Sequence, residues 1–259
     1  MRCGHLHRDL ALCDAHARTH PWGGRQSFDT LRLGLTYRQV RKGLPTEQAP
    51  RVLELGFGTG GLLRRFLDDG AEVAGVDRDL LDLAVDPLVR ERGDLLVGRI
   101  EDMDPGDGRF DLVYGIHVVE HLDDPKQAFA RALQALRPGG RLFLMTPDGT
   151  SLGLAVFGGA WWNLEDPTHV RFFTPTSLRL ALETAGFTDV RVERARWDSV
   201  TIEPSSLLRA VVRRSEEHGI LGRGWPRAAV LALTPAAVLA RAAVPGLAAT
   251  MRVTATRPA

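Results

Sequence analysis

The chain has 259 residues, 44% of them hydrophobic and 25% charged, with thirty-three basic side chains against thirty-two acidic ones. That length can bury one good core with an appended segment, and that hydrophobic share excludes a disordered chain. A formal net charge of +1 supplies no global field to gather nucleic acid.

The opening stretch, 1–26, is polar and histidine-rich, with "HPWGG" at 20–24 as a breaker. Cys3, His5, His7, Cys13, His16 and His20 invite a metal reading, but no closely spaced cysteine pair is present, so no metal site is expected. Cys3 and Cys13 are the only cysteines, which fits a reducing cytoplasm, and no secretory signal is visible. Ser27 is a plausible N-cap for a helix that places Phe28, Leu31 and Leu35 on one face and ends at "GLPTEQAP".

From Arg51 strands and helices alternate. The strand-like runs are 51–55, "AEVAGVD" (71–77), "LLVGRI" (95–100), "FDLVYGI" (110–116) and "RLFLMTP" (141–147). Helices are predicted at 60–69, about 79–92, and 125–137 behind "DDP". This spacing indicates βαβ units and a mostly parallel sheet covered on both faces. A loop region at 148–174 is rich in aromatic residues, including Phe157, Trp161, Trp162, Phe172 and Phe173. A capped helix at 174–187 follows, and 189–197 and 251–258 read as two final strands.

Between those last strands lies an insertion, 204–248. Residues 205–219 place Leu207, Leu208, Val211 and Val212 on one face, with Arg209, Arg213 and Arg214 around the other. Residues 225–246 are apolar nearly all round and interrupted by Pro235. Such helices serve as a lid, a homodimer contact or a peripheral membrane element.

The stretch "VLELGFGTGGL" (52–62) carries the chemistry. Gly56-x-Gly58-x-x-Gly61, with Asp77 downstream, satisfies the dinucleotide fingerprint, but the same loop serves any ligand lying over the strand's carboxyl end. Three features break the tie. Glu54, two residues before the first glycine, would repel a diphosphate and suit a ligand carrying an ammonium and a sulfonium. "GRIEDM" (98–103) ends the third strand with an acid pair, where Asp102 and the backbone of Met103 suit an adenine. "FDLVYGIHVVEHLDDP" (110–125) and "LRPGGRLFLMTP" (136–147) then follow in order.

This series resembles the class I S-adenosylmethionine-dependent methyltransferases over about 50–187 and, with the last two strands, most of the chain. The resemblance implies a Rossmann-like doubly wound seven-stranded α/β sheet with S-adenosyl-L-methionine as cofactor. It implies that Gly56, Gly58 and Gly60, with Phe57 between them, approach the methionine part, where a Cβ would collide with the ligand. Asp77 would take the ribose hydroxyls, Arg78 would flank the adenine, and Asp102 and Met103 would fix it. Gly115 and His117 would line the methionyl side. Gly75 and Gly98 are read as helix-approach positions, Gly139 and Gly140 as a turn, and Glu120 as either a cap or a ligand contact.

Methyl transfer to a hydroxyl benefits from a base, and His121 and His169 are the candidates. His169 lies in a stretch resembling the "P-x-H-x-x-x-F-[ST]-P" of one branch of the family, here Pro167, His169, Phe173, Thr174 and Pro175. The competing reading has His169 merely holding the loop by hydrogen-bonding the backbone. The domain reading is a cap at 1–49, a methyltransferase domain at 50–203 with 249–259, and the insertion at 204–248. The expected acceptor is a small or medium, fairly apolar molecule, lipid-like or a natural-product scaffold, methylated on oxygen first, and not nucleic acid. Two rivals stand beside this: an NAD(P)-dependent oxidoreductase, and a binding module that keeps the cofactor but has lost catalysis.

Overall fold

The computed structural model describes residues 6–7, 29–44, 49–78, 85–166, 168–212 and 225–259. Seven strands form one sheet: β1 (Arg51–Leu55), β2 (Glu72–Asp77), β3 (Asp94–Val97), β4 (Phe110–Ile116), β5 (Leu136–Pro147), β6 (Thr188–Arg194) and β7 (Thr250–Thr256). Their spatial order is β3-β2-β1-β4-β5-β7-β6, and β7 alone runs against its neighbours. The order reverses between β1 and β4, which opens a crevice at their carboxyl ends, the usual ligand position in such sheets.

The inner strands β1, β2, β4 and β5 are mostly buried because helices cover both faces, whereas the edge strands β3 and β6 are largely exposed. On one face Leu53, Leu55, Val113, Leu142 and Leu144 pack under α4 (Pro125–Ala135) and α6 (Pro175–Thr184). The small Ala128, Ala132 and Ala135 let α4 sit close to the strands. On the other face Val52, Leu112, Tyr114, Phe143 and Met145 pack under α1 (Asp29–Arg41), α2 (Gly61–Asp68) and α3 (Pro87–Arg92). The caps follow the sequence signals: Asp124 accepts from Gln127 N–H with Pro125 at the first helical position, and Thr174 forms a capping box with Ser177.

Several expectations need correcting. The third strand stops at Val97, and Ile100–Asp102 is a single 3-10 turn. The fifth strand starts early, at Leu136, running through Gly139 (φ 72°) and Gly140 with an irregular register against β4. The aromatic "loop" holds α5 (Leu152–Phe157) and two further short helical turns. Its Trp161, Phe172 and Phe173 are buried in the core, so those three side chains do not line an open cleft. Within the insertion α7 spans Ile202–Val212 and α8 spans Trp225–Ala243, which continues through Pro235. Ser27, Phe28, 79–84, Pro167 and 213–224 lie outside the described residues.

Candidate active site

The loop after β1 supplies three left-handed glycines in five positions, Gly56 (φ 68°), Gly58 (φ 52°) and Gly60 (φ 75°). They are needed for different reasons. A Cβ on Gly56 would lie 2.6 Å from Val118 Cγ2, and one on Gly60 would lie 3.0 Å from Val89 Cγ1. Among the described residues, a Cβ on Gly58 would meet nothing within 4 Å. Packing against the protein itself therefore explains Gly56 and Gly60 but not Gly58. Phe57 turns into the core, where its ring fills the room left by Gly75, so it does not face the crevice.

Glu54 does not offer an open carboxylate either. It is buried at the end of β1, and the Tyr114 hydroxyl donates to its Oε2 at 3.0 Å. Burial pushes its carboxyl well above the usual range, and the Tyr114 hydrogen bond only partly opposes that. Asp77, at the carboxyl end of β2, accepts from Gly58 N–H at 2.8 Å, which locks the glycine loop beside it. Arg78 is engaged with Asp123 at 2.8 Å.

The acid pair divides. Glu101 is buried and accepts from the backbone N–H groups of Asp123 and Asp124, so it is a latch for the loop after β4. Asp102 stays at the surface beside Arg99. Met103 buries its side chain in the core, and its N–H is directed at Ile100 O, 3.4 Å away.

The loop after β4 gathers most of the charge. Gly115 admits Val118, whose Cγ1 would lie 2.7 Å from a Cβ there. His117 adopts φ 53°, a left-handed conformation costing a non-glycine residue about 1 kcal/mol or more. Its Nε2 lies 2.8 Å from Asp198 Oδ2 and its Nδ1 3.4 Å from Glu120 Oε1. Burial opposes the charged ring, but Asp198 and then Glu120 outweigh it and hold the imidazolium up to about 10. Glu120 is completely buried; Thr146 donates to its Oε2, and among the described residues its Oε1 has no hydrogen-bond partner. Burial works against its charge, and His117 overcomes that and draws the carboxyl down to about 2.

His121 and His169 stand side by side, ring centroids 4.7 Å apart. His121 Nδ1 faces Thr168 O at 3.0 Å and Thr168 Oγ1 at 2.8 Å, while that hydroxyl lies 2.5 Å from Asp166 Oδ1. His169 Nδ1 faces Asn163 O at 2.7 Å. A carbonyl oxygen only accepts, so this assigns a proton to Nδ1 in both rings and leaves Nε2 as the open lone pair when the ring is neutral. Burial holds the His169 ring below the usual histidine range, with Asp166 opposing. Its Nε2 lies 3.5 Å from Asp166 Oδ2 and 3.9 Å from Glu120 Oε1.

Glu120, His121 and His169 are, among the described residues, the group whose ligand atoms all fall within 4.8 Å of one another. One carboxylate and two imidazoles suit a zinc-like ion as well as proton transfer. The sequence expectation of no metal weighs only the N-terminal residues, which apart from His7 lie outside the described ones. Sequence reasoning also misses Tyr114, Val118 and Asp198. Tyr114 sits where any core strand residue would, and Asp198 is eighty-one positions from His117, with no local pattern to announce the contact.

A parallel sheet with one reversed strand next to its edge, a left-handed glycine loop and an acid ending β2 define the class I methyltransferase fold. The sequence model of the family described as "Methyltransferase domain" matches residues 7–192, and the chain belongs to that family. It is 35% identical over 139 residues to the ubiquinone biosynthesis O-methyltransferase of Bradyrhizobium sp. (strain ORS 278), covering 49% of this chain and 54% of the relative. The chain thus spans about half the length of the curated relatives it matches. Among solved structures it resembles phosphoethanolamine N-methyltransferase 2 of Haemonchus contortus in complex with S-adenosyl-L-methionine, with a TM-score of 0.59 and 18% identity, covering 87% of this chain and 53% of that one. It also resembles the [4+2]-cyclase SpnF, with a TM-score of 0.59 and 22% identity, covering 86% and 81%. At these identities the likeness shows the fold alone.

Proposed function

We propose that this chain binds S-adenosylmethionine over the carboxyl ends of β1 and β4 and methylates a hydroxyl of a small or medium, fairly apolar acceptor. Asp77 at the end of β2 suits the ribose, Asp102 the adenine, and Gly58 the close passage of the sulfonium side. The cationic His117 suits the cofactor's carboxylate. When bound, the cofactor supplies an activated methyl group, and the protein supplies in-line placement and a proton acceptor.

The observation that carries the reading is His169: a partly buried ring held toward its neutral form, with Nδ1–H given to Asn163 O and Nε2, 3.5 Å from Asp166 Oδ2, as the atom that would take a hydroxyl proton. His121, its neighbour, is oriented the same way by Thr168. The names of the relatives favour oxygen as the acceptor atom and a phenolic quinone precursor as the acceptor class. Exposed apolar side chains on the insertion, including Val211 and Leu239, suit delivery of such a molecule from a membrane surface.

The test is transfer of labelled methyl from S-adenosylmethionine to a panel of catechols and long-chain phenols. His169→Gln is expected to lower kcat by about a hundredfold while leaving the affinity for S-adenosylhomocysteine nearly unchanged. Equal loss of both rejects the base role.

A further inference from the structure

We infer that Arg241, carried on α8 outside the sheet, is a positioning residue of the site: it fixes the 196–199 turn that holds His117. This rests on the reading that His117 faces the methionyl end of the cofactor.

Arg241 is 1% exposed. Its Nε lies 3.0 Å from both oxygens of Glu203. Its Nη1 donates to Arg196 O (3.2 Å) and Asp198 O (2.6 Å), and its Nη2 to Ser199 O (2.8 Å) and Glu203 Oε2 (2.7 Å). All five N–H groups of the guanidinium are thereby used. An ammonium has three donors on a flexible stem and cannot reproduce that fork. Glu203 stands in the first turn of α7, so the pair joins both insertion helices to the turn while neutralising its own buried charge.

The turn needs to be held. Ser199 is left-handed at φ 50°, a conformation that persists only where the surroundings over-determine it. It delivers the Asp198 carboxylate to His117 Nε2 at 2.8 Å, with the Ser199 hydroxyl on the same oxygen at 2.6 Å. His117 is left-handed as well. Two strained residues therefore meet through one carboxylate, and the buried cation that sets that carboxylate's backbone comes from the insertion. Among the described residues Arg241 hydrogen-bonds the turn and Glu203, so its effect on ligand runs by way of Asp198 and His117.

Calorimetry with two ligands separates this from a general loss of stability. S-adenosylhomocysteine carries the amino-acid tail that would meet His117, and 5′-methylthioadenosine does not. Arg241→Met is expected to weaken S-adenosylhomocysteine on the order of tenfold and leave 5′-methylthioadenosine unchanged, and Asp198→Asn should reproduce the pattern. If Arg241→Met does not fold, Arg241→Lys is judged by the same ratio. Equal weakening of both ligands, or of neither, overturns the inference, as does a selective loss in Asp198→Asn that the folded Arg241 variant does not share. A wild-type protein that binds neither ligand overturns the cofactor reading itself, and this inference falls with it.

Discussion

Gly56 and Gly58 stand two positions apart in one loop, yet substitution should separate them. Gly56→Ala forces a methyl to within 2.6 Å of Val118 Cγ2 at φ 68°, so it should cost about 1–3 kcal/mol and lower Tm by several degrees. Among the described residues Gly58→Ala meets nothing and bears only the backbone cost, about 1 kcal/mol, but it puts a methyl where the cofactor is proposed to pass. Its expected signature is a small loss of Tm with at least roughly tenfold weaker S-adenosylhomocysteine binding by calorimetry; unchanged binding places the cofactor elsewhere. The glycine spacing was legible in sequence, but the packing partners were not, because Val118 and Val89 approach from other elements. Glu54 gives a second residue-scale prediction. Its folded pKa is raised above the ordinary 4.5, so the folded protein holds a proton that the unfolded chain releases. That contribution is present below about pH 4.5 and is lost as pH rises through the folded value. Glu54→Gln keeps an acceptor for Tyr114 and carries no charge. Its Tm advantage over wild type should therefore grow from pH 4 toward pH 8, and a difference that stays flat with pH sinks the assignment.

At the scale of elements, the apolar faces of the insertion predict its helices and leave a lid, a dimer contact and a membrane element open, but they do not predict which residues tie them to the domain. Ser205 and Ser206 are fully buried, and Ser206 Oγ accepts from Trp162 N–H, so α7 is keyed into the domain from its first turns. Arg209 belongs to the expected basic face but is paired with Glu165. Pro235 reads as a break, yet α8 passes through it, and the adjacent Thr234 hydroxyl donates back to Val230 O. Cutting out 205–246 would remove Arg241 together with the apolar surface, so substitution is the cleaner test of a membrane role. Val211 and Leu239 are 72% and 71% exposed. Replacing both with Asp should change stability by no more than about 0.5 kcal/mol per site. Vesicles containing phosphatidylglycerol should sediment with the wild type and not with the double variant. Wild type remaining in the supernatant refutes a membrane surface role for these helices.

Over the whole molecule, alternation of short apolar strands with helices is enough to expect a doubly wound sheet, because burial on both faces leaves that mark on the inner strands, while the edge strands β3 and β6 stay largely exposed. The reversal of β7 and its place between β5 and β6 are findings of the structure, since no residue in β7 marks its direction or its neighbours. The composition of 148–174 marks it as rich in aromatic rings but does not say which way a ring points, and Trp161 and Phe173 point inward. The same limit governs the cofactor. A glycine loop at a strand reversal accepts more than one nucleotide, and the structure weakens one argument used to choose, since Glu54 is tied to Tyr114 rather than open to a sulfonium. What remains is the cation at His117, paired histidines each oriented through Nδ1, and a surface Asp102 where an adenine could lie. A cation and an adenine contact suit a dinucleotide as well, so the choice of the sulfur nucleoside rests on the methyltransferase family to which the chain belongs. A ligand that binds only the folded state at a hundred times its Kd stabilises it by about 2.7 kcal/mol, or roughly 5–10 °C for a chain of this length. S-adenosylhomocysteine should produce such a rise in Tm by differential scanning fluorimetry, and NAD at the same concentration should produce none. The opposite ranking would return the chain to the oxidoreductase reading. A rise with S-adenosylhomocysteine but no methyl transfer to any phenol would leave a cofactor-binding protein without the proposed activity.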